Sequence, residues 1–203
     1  MNTIQNIIFD LGGVLLNIDF ERSQKAFQQL GVTNFRDMIS PTHANDLFHA
    51  LETGMDIPSF YEQFRKQTGM HFTNEVIEEA WNALLIDFRK ESVEKLQQLK
   101  PKYQLFLLSN TNEIHVQRIH RMFREQFHGQ EFEDHFHAAY YSQRIGLRKP
   151  DAKAWLHVLN THALNPAETL FIDDGAANIE AAQQLGMHTV HLLPAMRVEE
   201  LDL

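Results

Sequence analysis

The apolar run Ile4 to Phe9 ends on an acid and then on two glycines, giving the stretch Phe9-Asp10-Leu11-Gly12-Gly13-Val14-Leu15. The run reads as a buried strand, and Gly12-Gly13 forces the backbone to turn at once. Asp10 is left at the carboxyl end of that strand, where open α/β sheets place their ligands. The same pattern also describes an ordinary strand-turn with a solvated Asp, so the rest of the chain has to decide between the two.

From Phe20 to about Phe88 the pattern is helical throughout. Ala26, Phe27 and Leu30 form one apolar stripe, Leu47, Phe48 and Leu51 a second, and Phe60 and Phe64 a third. Val76, Ile77, Ala80, Trp81, Leu84 and Leu85 form a fourth, wide enough to bury. Gly31, Gly54 and Gly69 close the first three. Four such helices make a small bundle. Beyond it, strands predicted over 103–108, 138–141, 170–172 and 187–192 alternate with helices over 91–100, 113–123 and 176–185 and one opened by Pro150-Asp151. This alternation predicts an α/β protein: a Rossmann-like parallel sheet core with an inserted all-α, four-helix cap. The core takes residues 1–16 and 90–203, and the cap 17–89.

Polar clusters follow four of the strands: Asp10, then Ser109-Asn110, then Arg148-Lys149 some way after the third strand, then Asp173-Asp174. In a parallel sheet every carboxyl end points the same way, so all four converge on one rim. Two or three carboxylates there repel unless a cation sits among them. Oxygen donors without Cys or His favour Mg²⁺, which commonly shares its shell with a substrate phosphate. Lys149 supplies a compact positive charge, Ser109 a hydroxyl, and the backbone N–H groups near Gly12-Gly13 and Asn110 could form an anion nest. A carboxylate can attack phosphorus and form an aspartyl-phosphate. Helix capping and turn formation are the structural alternatives for Asp173-Asp174 and Ser109-Asn110.

Composition narrows the partners. The formal net charge is −9 and no basic stripe is visible, which argues against a nucleic-acid binder. A phosphate-bearing ligand then requires a local cation and local Lys or Arg. No apolar run reaches a membrane span, and the N-terminus lacks the basic segment of a signal peptide, so a cytoplasmic protein is expected. With no cysteine, disulfides and thiolate chemistry are excluded. The twelve histidines are scattered, and His135 and His137 lack further ligands at metal spacing.

Taken in order, these residues resemble the haloacid dehalogenase-like (HAD) hydrolase superfamily with a C1 helical cap. The stretch Phe9 to Leu15 resembles its first motif, which implies Asp10 as nucleophile and Mg²⁺ ligand. Leu108-Ser109-Asn110-Thr111 resembles the second, implying that Ser109 and Asn110 bind the phosphoryl group. Gly146-Leu147-Arg148-Lys149-Pro150 resembles the third, with Lys149 the family lysine. Phe171-Ile172-Asp173-Asp174 resembles the fourth, implying Asp174 as direct Mg²⁺ ligand and Asp173 as its supporter. Glu52-Thr53-Gly54-Met55-Asp56-Ile57 resembles the loop by which such caps reach into the site. Asn17-Ile18-Asp19-Phe20, Ser109-Asn110-Thr111-Asn112, Tyr141-Ser142-Gln143 and Asn178-Ile179-Glu180 further resemble the α-D-glucose-1-phosphate phosphatase subgroup.

One position departs from the family. Most of its phosphatases carry a second Asp two residues after the nucleophile, and here that position is Gly12. Its carbonyl can still ligate Mg²⁺, but its acid-base role is missing, a role typically worth ~10²–10⁴-fold. A sugar 1-phosphate, whose anomeric hydroxyl leaves readily, needs less protonation; alternatively Asp46, His49 or Glu52 of the cap supplies the proton. The expectation is a Mg²⁺-dependent phosphatase acting on a small phosphorylated metabolite, such as glucose 1-phosphate, as a monomer or weak dimer. Its rivals are a catalytically impaired HAD-like binding module and a dehalogenase-type hydrolase.

Overall fold

The computed structural model describes residues 3–33, 35 and 46–203, the side chain of residue 46 excepted. Five strands form one parallel sheet: β1 (Asn6–Phe9), β4 (Gln104–Ser109), β5 (Ala138–Tyr141), β6 (Thr169–Asp173) and β7 (His188–His191). Their order is β5-β4-β1-β6-β7. The central strand β1 therefore lies between β4 and β6, with Phe9 in register with Leu107 on one side and Ile172 on the other. Successive residues of β1 face opposite layers: Ile7 and Phe9 enter one apolar core, and Ile8 enters another with Phe106, Trp155 and Phe171. Both faces are covered, as a parallel sheet requires.

Helices α5 (Lys90–Leu99), α6 (Glu113–Gln126), α8 (Ala152–Thr161) and α9 (Ala176–Gln184) connect the strands. A single turn, α7 (Ser142–Ile145), follows β5. Asn112 and Asp151 cap α6 and α8 by accepting from the backbone N–H groups of His115 and Lys153. The tail, unremarkable in sequence, docks on α5: the Ser92 hydroxyl donates to Glu199 at 2.7 Å, and Val198 is buried.

Between β1 and α5 the chain forms α1 (Phe20–Gln29), α2 (Asp46–Glu52), α3 (Ile57–Thr68) and α4 (Asn74–Asn82). Their apolar faces meet in a cluster of their own, centred on Phe27, Phe60, Phe64 and Trp81, which Ile114 of α6 joins. The expectation of a wholly helical segment from Phe20 to about Phe88 needs correction. The chain enters and leaves this segment through an antiparallel ribbon, β2 (Leu16–Ile18) and β3 (Leu85–Phe88). Leu84 and Leu85 continue the apolar period of α4, yet the helix stops at Asn82. The next backbone groups are taken by the start of α1: the Leu84 N–H donates to Ser23 Oγ at 3.0 Å, and its carbonyl accepts from Asp19 N–H at 2.9 Å.

Candidate active site

Because β1, β4 and β6 are adjacent, their carboxyl ends bring Asp10, Ser109 and Asp173 to one rim. The turn after β1 is tight: the Leu11 carbonyl accepts from the N–H groups of Val14, Leu15 and Leu16. Gly13 has φ +74°, and a Cβ there would lie 2.2 Å from Asp174 Oδ2. Glycine at this position supplies the left-handed backbone and lets the Asp174 carboxylate lie against the turn.

Lys149 is the centre of the cluster. Its ammonium donates to Asp10 Oδ1 and Asp173 Oδ2, each at 2.6 Å, and its side chain is 1% exposed. Burial alone would lower its pKa, but the two flanking carboxylates outweigh that and hold it above the ordinary value. Asp173 is fully engaged: Oδ1 also accepts from Gly175 N–H at 2.7 Å, and Asn178 Nδ2 donates to both of its oxygens at 3.1 Å. Burial pushes the Asp10 carboxyl up to about 7; Lys149 opposes this, while Asp173 and Asp174 add to it. The more open Asp174 carboxyl is also raised, by burial first and by Asp173 second.

Asp10, Asp173 and Asp174 each offer a carboxylate oxygen within 4.8 Å of the others. Three acids facing one ammonium leave an excess of negative charge that a divalent cation relieves. The donors are all oxygen, and Asp174 lies on the open side, a donor set that fits Mg²⁺ rather than zinc.

On the side of the helical segment a cavity of about 470 Å³ opens from this rim. Ser109, Asn110 and Gly12 line it, together with His49, Glu52 and Arg148. The sequence reading places Asn110 at the substrate through its backbone N–H; its carboxamide is used within the protein. Nδ2 donates to the Lys149 carbonyl at 2.7 Å and Oδ1 accepts from the Lys149 N–H at 2.8 Å, so the side chain fixes the lysine backbone. At Gly12 a Cβ would meet Ile18 Cδ1 at 2.8 Å, so an apolar side chain occupies the direction in which an acid would project. Glu52 pairs with Arg148 at 2.8 Å, tying α2 to the loop that carries Lys149. Burial raises the Glu52 carboxyl, with Arg148 opposing. Asp46, the third proton donor considered, has its side chain outside the described residues.

Sequence reasoning named Asn178 without giving it a task, and it missed the contact of Ile18 with Gly12. An amide in the first turn of the helix after Asp173-Asp174 was the available signal for the former. Ile18 follows six residues after Gly12 in the chain, and only the fold of the ribbon β2–β3 brings it back.

With this geometry in place, comparison with known proteins fixes the family. The model of the haloacid dehalogenase-like hydrolases matches residues 4–186. The chain belongs to that family of hydrolases. Among characterised relatives, D-ribitol-5-phosphate phosphatase of Bacteroides thetaiotaomicron is 29% identical over 92% of this chain and 90% of that one. A sesquiterpene phosphatase of Aspergillus oryzae is 28% identical over 96% and 92%. A HAD family enzyme of Bacteroides thetaiotaomicron, solved as a variant with magnesium and inorganic phosphate, superposes with TM-score 0.89 at 31% identity over 95% of each chain. An L-2-haloacid dehalogenase superposes with TM-score 0.57 at 16% identity over 94% of this chain and 85% of that one, a likeness of fold alone.

Proposed function

We propose that this hydrolase is a Mg²⁺-dependent phosphomonoesterase acting on a small phosphorylated metabolite in the cytoplasm. The observation that carries the reading is the Lys149 ammonium held between Asp10 and Asp173, with Asp174 within 4.8 Å of both acids. Asp10, Asp174 and the Gly12 carbonyl would hold the cation, which when bound offsets negative charge on the phosphoryl group. One Asp10 oxygen attacks phosphorus, and the bond from phosphorus to the leaving oxygen breaks. Lys149 fixes the attacking carboxylate and faces the charge that builds on the phosphoryl oxygens, with the Ser109 hydroxyl beside it. Water then cleaves the aspartyl-phosphate and restores Asp10. Residues 17–89 act as a cap that closes over the ester and excludes bulk water. Gly12 taken by itself would suit a sugar phosphate such as glucose 1-phosphate, because an anomeric hydroxyl leaves with little help from an acid.

The test is phosphate release from a panel of sugar 1-phosphates, sugar 6-phosphates, polyol phosphates, nucleotides and acyl phosphates, with Mg²⁺ and with chelator. Asp10→Asn is expected to lower turnover by at least about 10³-fold while the far-ultraviolet circular dichroism stays unchanged. Release that persists in chelator, or in Asp10→Asn, contradicts the proposal. Halide release without metal points to the dehalogenase reading instead.

A further inference from the structure

Two features of the cavity beside Gly12 bear on what the phosphate is attached to. The first is its wall. Leu11, Ile18, Phe20, Phe48, Trp81 and Leu84 line it, and most of its exposed lining is apolar. Phe20 lines the cavity and is 62% exposed. Part of the polar lining is already committed to the protein, while Arg148 Nε is buried without a partner among the described residues. Ser23 Oγ donates to the Trp81 carbonyl at 2.9 Å and accepts from Leu84 N–H. Both ends of the Asn110 carboxamide bind the Lys149 backbone. Asn112 Oδ1 accepts from His115 N–H and Trp81 Nε1. A polyol or sugar buried here brings a hydroxyl on nearly every carbon, and each one left unpaired costs roughly tenfold or more in affinity.

The second feature is the shortage of proton donors among the described side chains. Gly12 has no side chain, and Ile18 Cδ1 fills the space beside it. His115 lines the cavity, but its Nδ1 faces Asn82 Oδ1 at 2.9 Å, so that nitrogen carries the proton and Nε2 is bare. Burial pushes this imidazole down to about 3 and keeps it neutral. Glu52 is tied to Arg148. His49 is the remaining titratable group on the described wall. A leaving group that departs as a strongly basic alkoxide is therefore poorly served.

We infer that the ester hydrolysed here, given the phosphatase reading on which this rests, joins phosphate to an apolar, weakly basic oxygen: an aryl phosphate or an enol phosphate of similar shape. In the first step an Asp10 oxygen bonds to phosphorus and the aryl-oxygen bond to phosphorus breaks. The aryloxide leaves with the electron pair. Water then attacks phosphorus and the bond from phosphorus to the Asp10 oxygen breaks, one water proton passing to the aryloxide, so that the phenol, hydrogen phosphate and the Asp10 carboxylate are released. A sugar 1-phosphate satisfies the leaving-group condition and fails the wall; an alkyl phosphate does the reverse.

The experiment measures kcat/KM with Mg²⁺ for phenyl phosphates of graded phenol acidity, 2-naphthyl phosphate, hexyl phosphate, ribitol 5-phosphate, glucose 1-phosphate and acetyl phosphate. Aryl esters are expected to exceed the polyol, sugar and hexyl esters by about 10²-fold or more, with naphthyl above phenyl. Rates among the phenyl esters should fall steeply as the phenol becomes more basic, with the same slope in His49→Gln and Glu52→Gln. Phe20→Ser should raise KM for naphthyl phosphate about fivefold or more. Sugar or polyol esters turned over as fast as aryl esters overturn the inference and leave the phosphatase reading intact. So does a shallow slope that steepens in His49→Gln or Glu52→Gln. No Mg²⁺-dependent release from any ester, acetyl phosphate included, overturns the phosphatase reading itself.

Discussion

Single residues decide the electrostatics of the rim. Lys149 is a buried cation shared by two acids, so Lys149→Met leaves Asp10 and Asp173 without their counter-charge. Removing one partner from such a buried arrangement costs about 3–5 kcal/mol. Urea denaturation at neutral pH should show a loss of that order together with loss of turnover; an unchanged midpoint contradicts the assignment. Gly13 offers a separate test. Alanine there meets a backbone with φ +74° and places its Cβ against Asp174 Oδ2. Gly13→Ala should displace that carboxylate and weaken Mg²⁺ binding by roughly 10–100-fold, read by calorimetric titration. At this scale the sequence was informative about identity and less so about partnership. Asp10, Ser109, Lys149, Asp173 and Asp174 stand out because acids, a hydroxyl and a lysine follow strands in order. That Asn110 serves the Lys149 backbone, and that Ile18 closes the space beside Gly12, depends on atoms brought together across 39 residues in one case and by a turned ribbon in the other.

At the scale of elements, the most informative contact is the one between α4 and the start of α6. Trp81 stacks on His115 with ring centroids 5.1 Å apart and an interplanar angle of 9°, and Asn82 Oδ1 accepts a hydrogen bond from the histidine Nδ1. His115 is buried and its pKa is depressed to about 3 from an unfolded value near 6.5. The unfolded chain therefore binds the proton first as pH falls. The stability that depends on neutral His115 is fully present above about pH 6.5 and is lost as pH falls toward 3, by up to about 1.4 kcal/mol per pH unit. His115→Gln removes the titration, so the difference in unfolding free energy between wild type and variant should narrow from pH 6.5 to pH 4.5. Parallel profiles contradict the assignment. The strands and helices of the sheet were legible because their periods are clean and their breaks fall at Gly, Pro or Asp. The ribbon β2–β3 was not. Its strands have three and four residues, Ile86 and Asp87 are exposed, and Leu84-Leu85 extends the helical stripe of α4, so the local pattern favours helix until Ser23 and Asp19 claim the backbone of Leu84.

For the whole molecule, the net charge of −9 and the three acids of the rim act in the same direction. A divalent cation that binds the folded protein alone stabilises it by mass action, about 2.7 kcal/mol at a hundred times its dissociation constant. For a chain of this length that amounts to a rise of roughly 5–10 °C in Tm. Saturating Mg²⁺ should produce such a shift in differential scanning calorimetry, and Asp174→Ala should abolish most of it. An equal Mg²⁺ shift in Asp174→Ala shows that it arises elsewhere on the surface. The ribbon has a broader consequence. Leu16 on the outgoing strand is paired with Phe88 on the returning strand, and the Arg89 N–H donates to the Leu15 carbonyl at 3.0 Å. The two ends of an excursion of some seventy residues are thus joined side by side at a single doorway. Whatever lies beyond that doorway can be lengthened, shortened or exchanged in descent without shifting the acids on the sheet, so the choice of ester and the cleavage of its phosphate are free to evolve at different speeds.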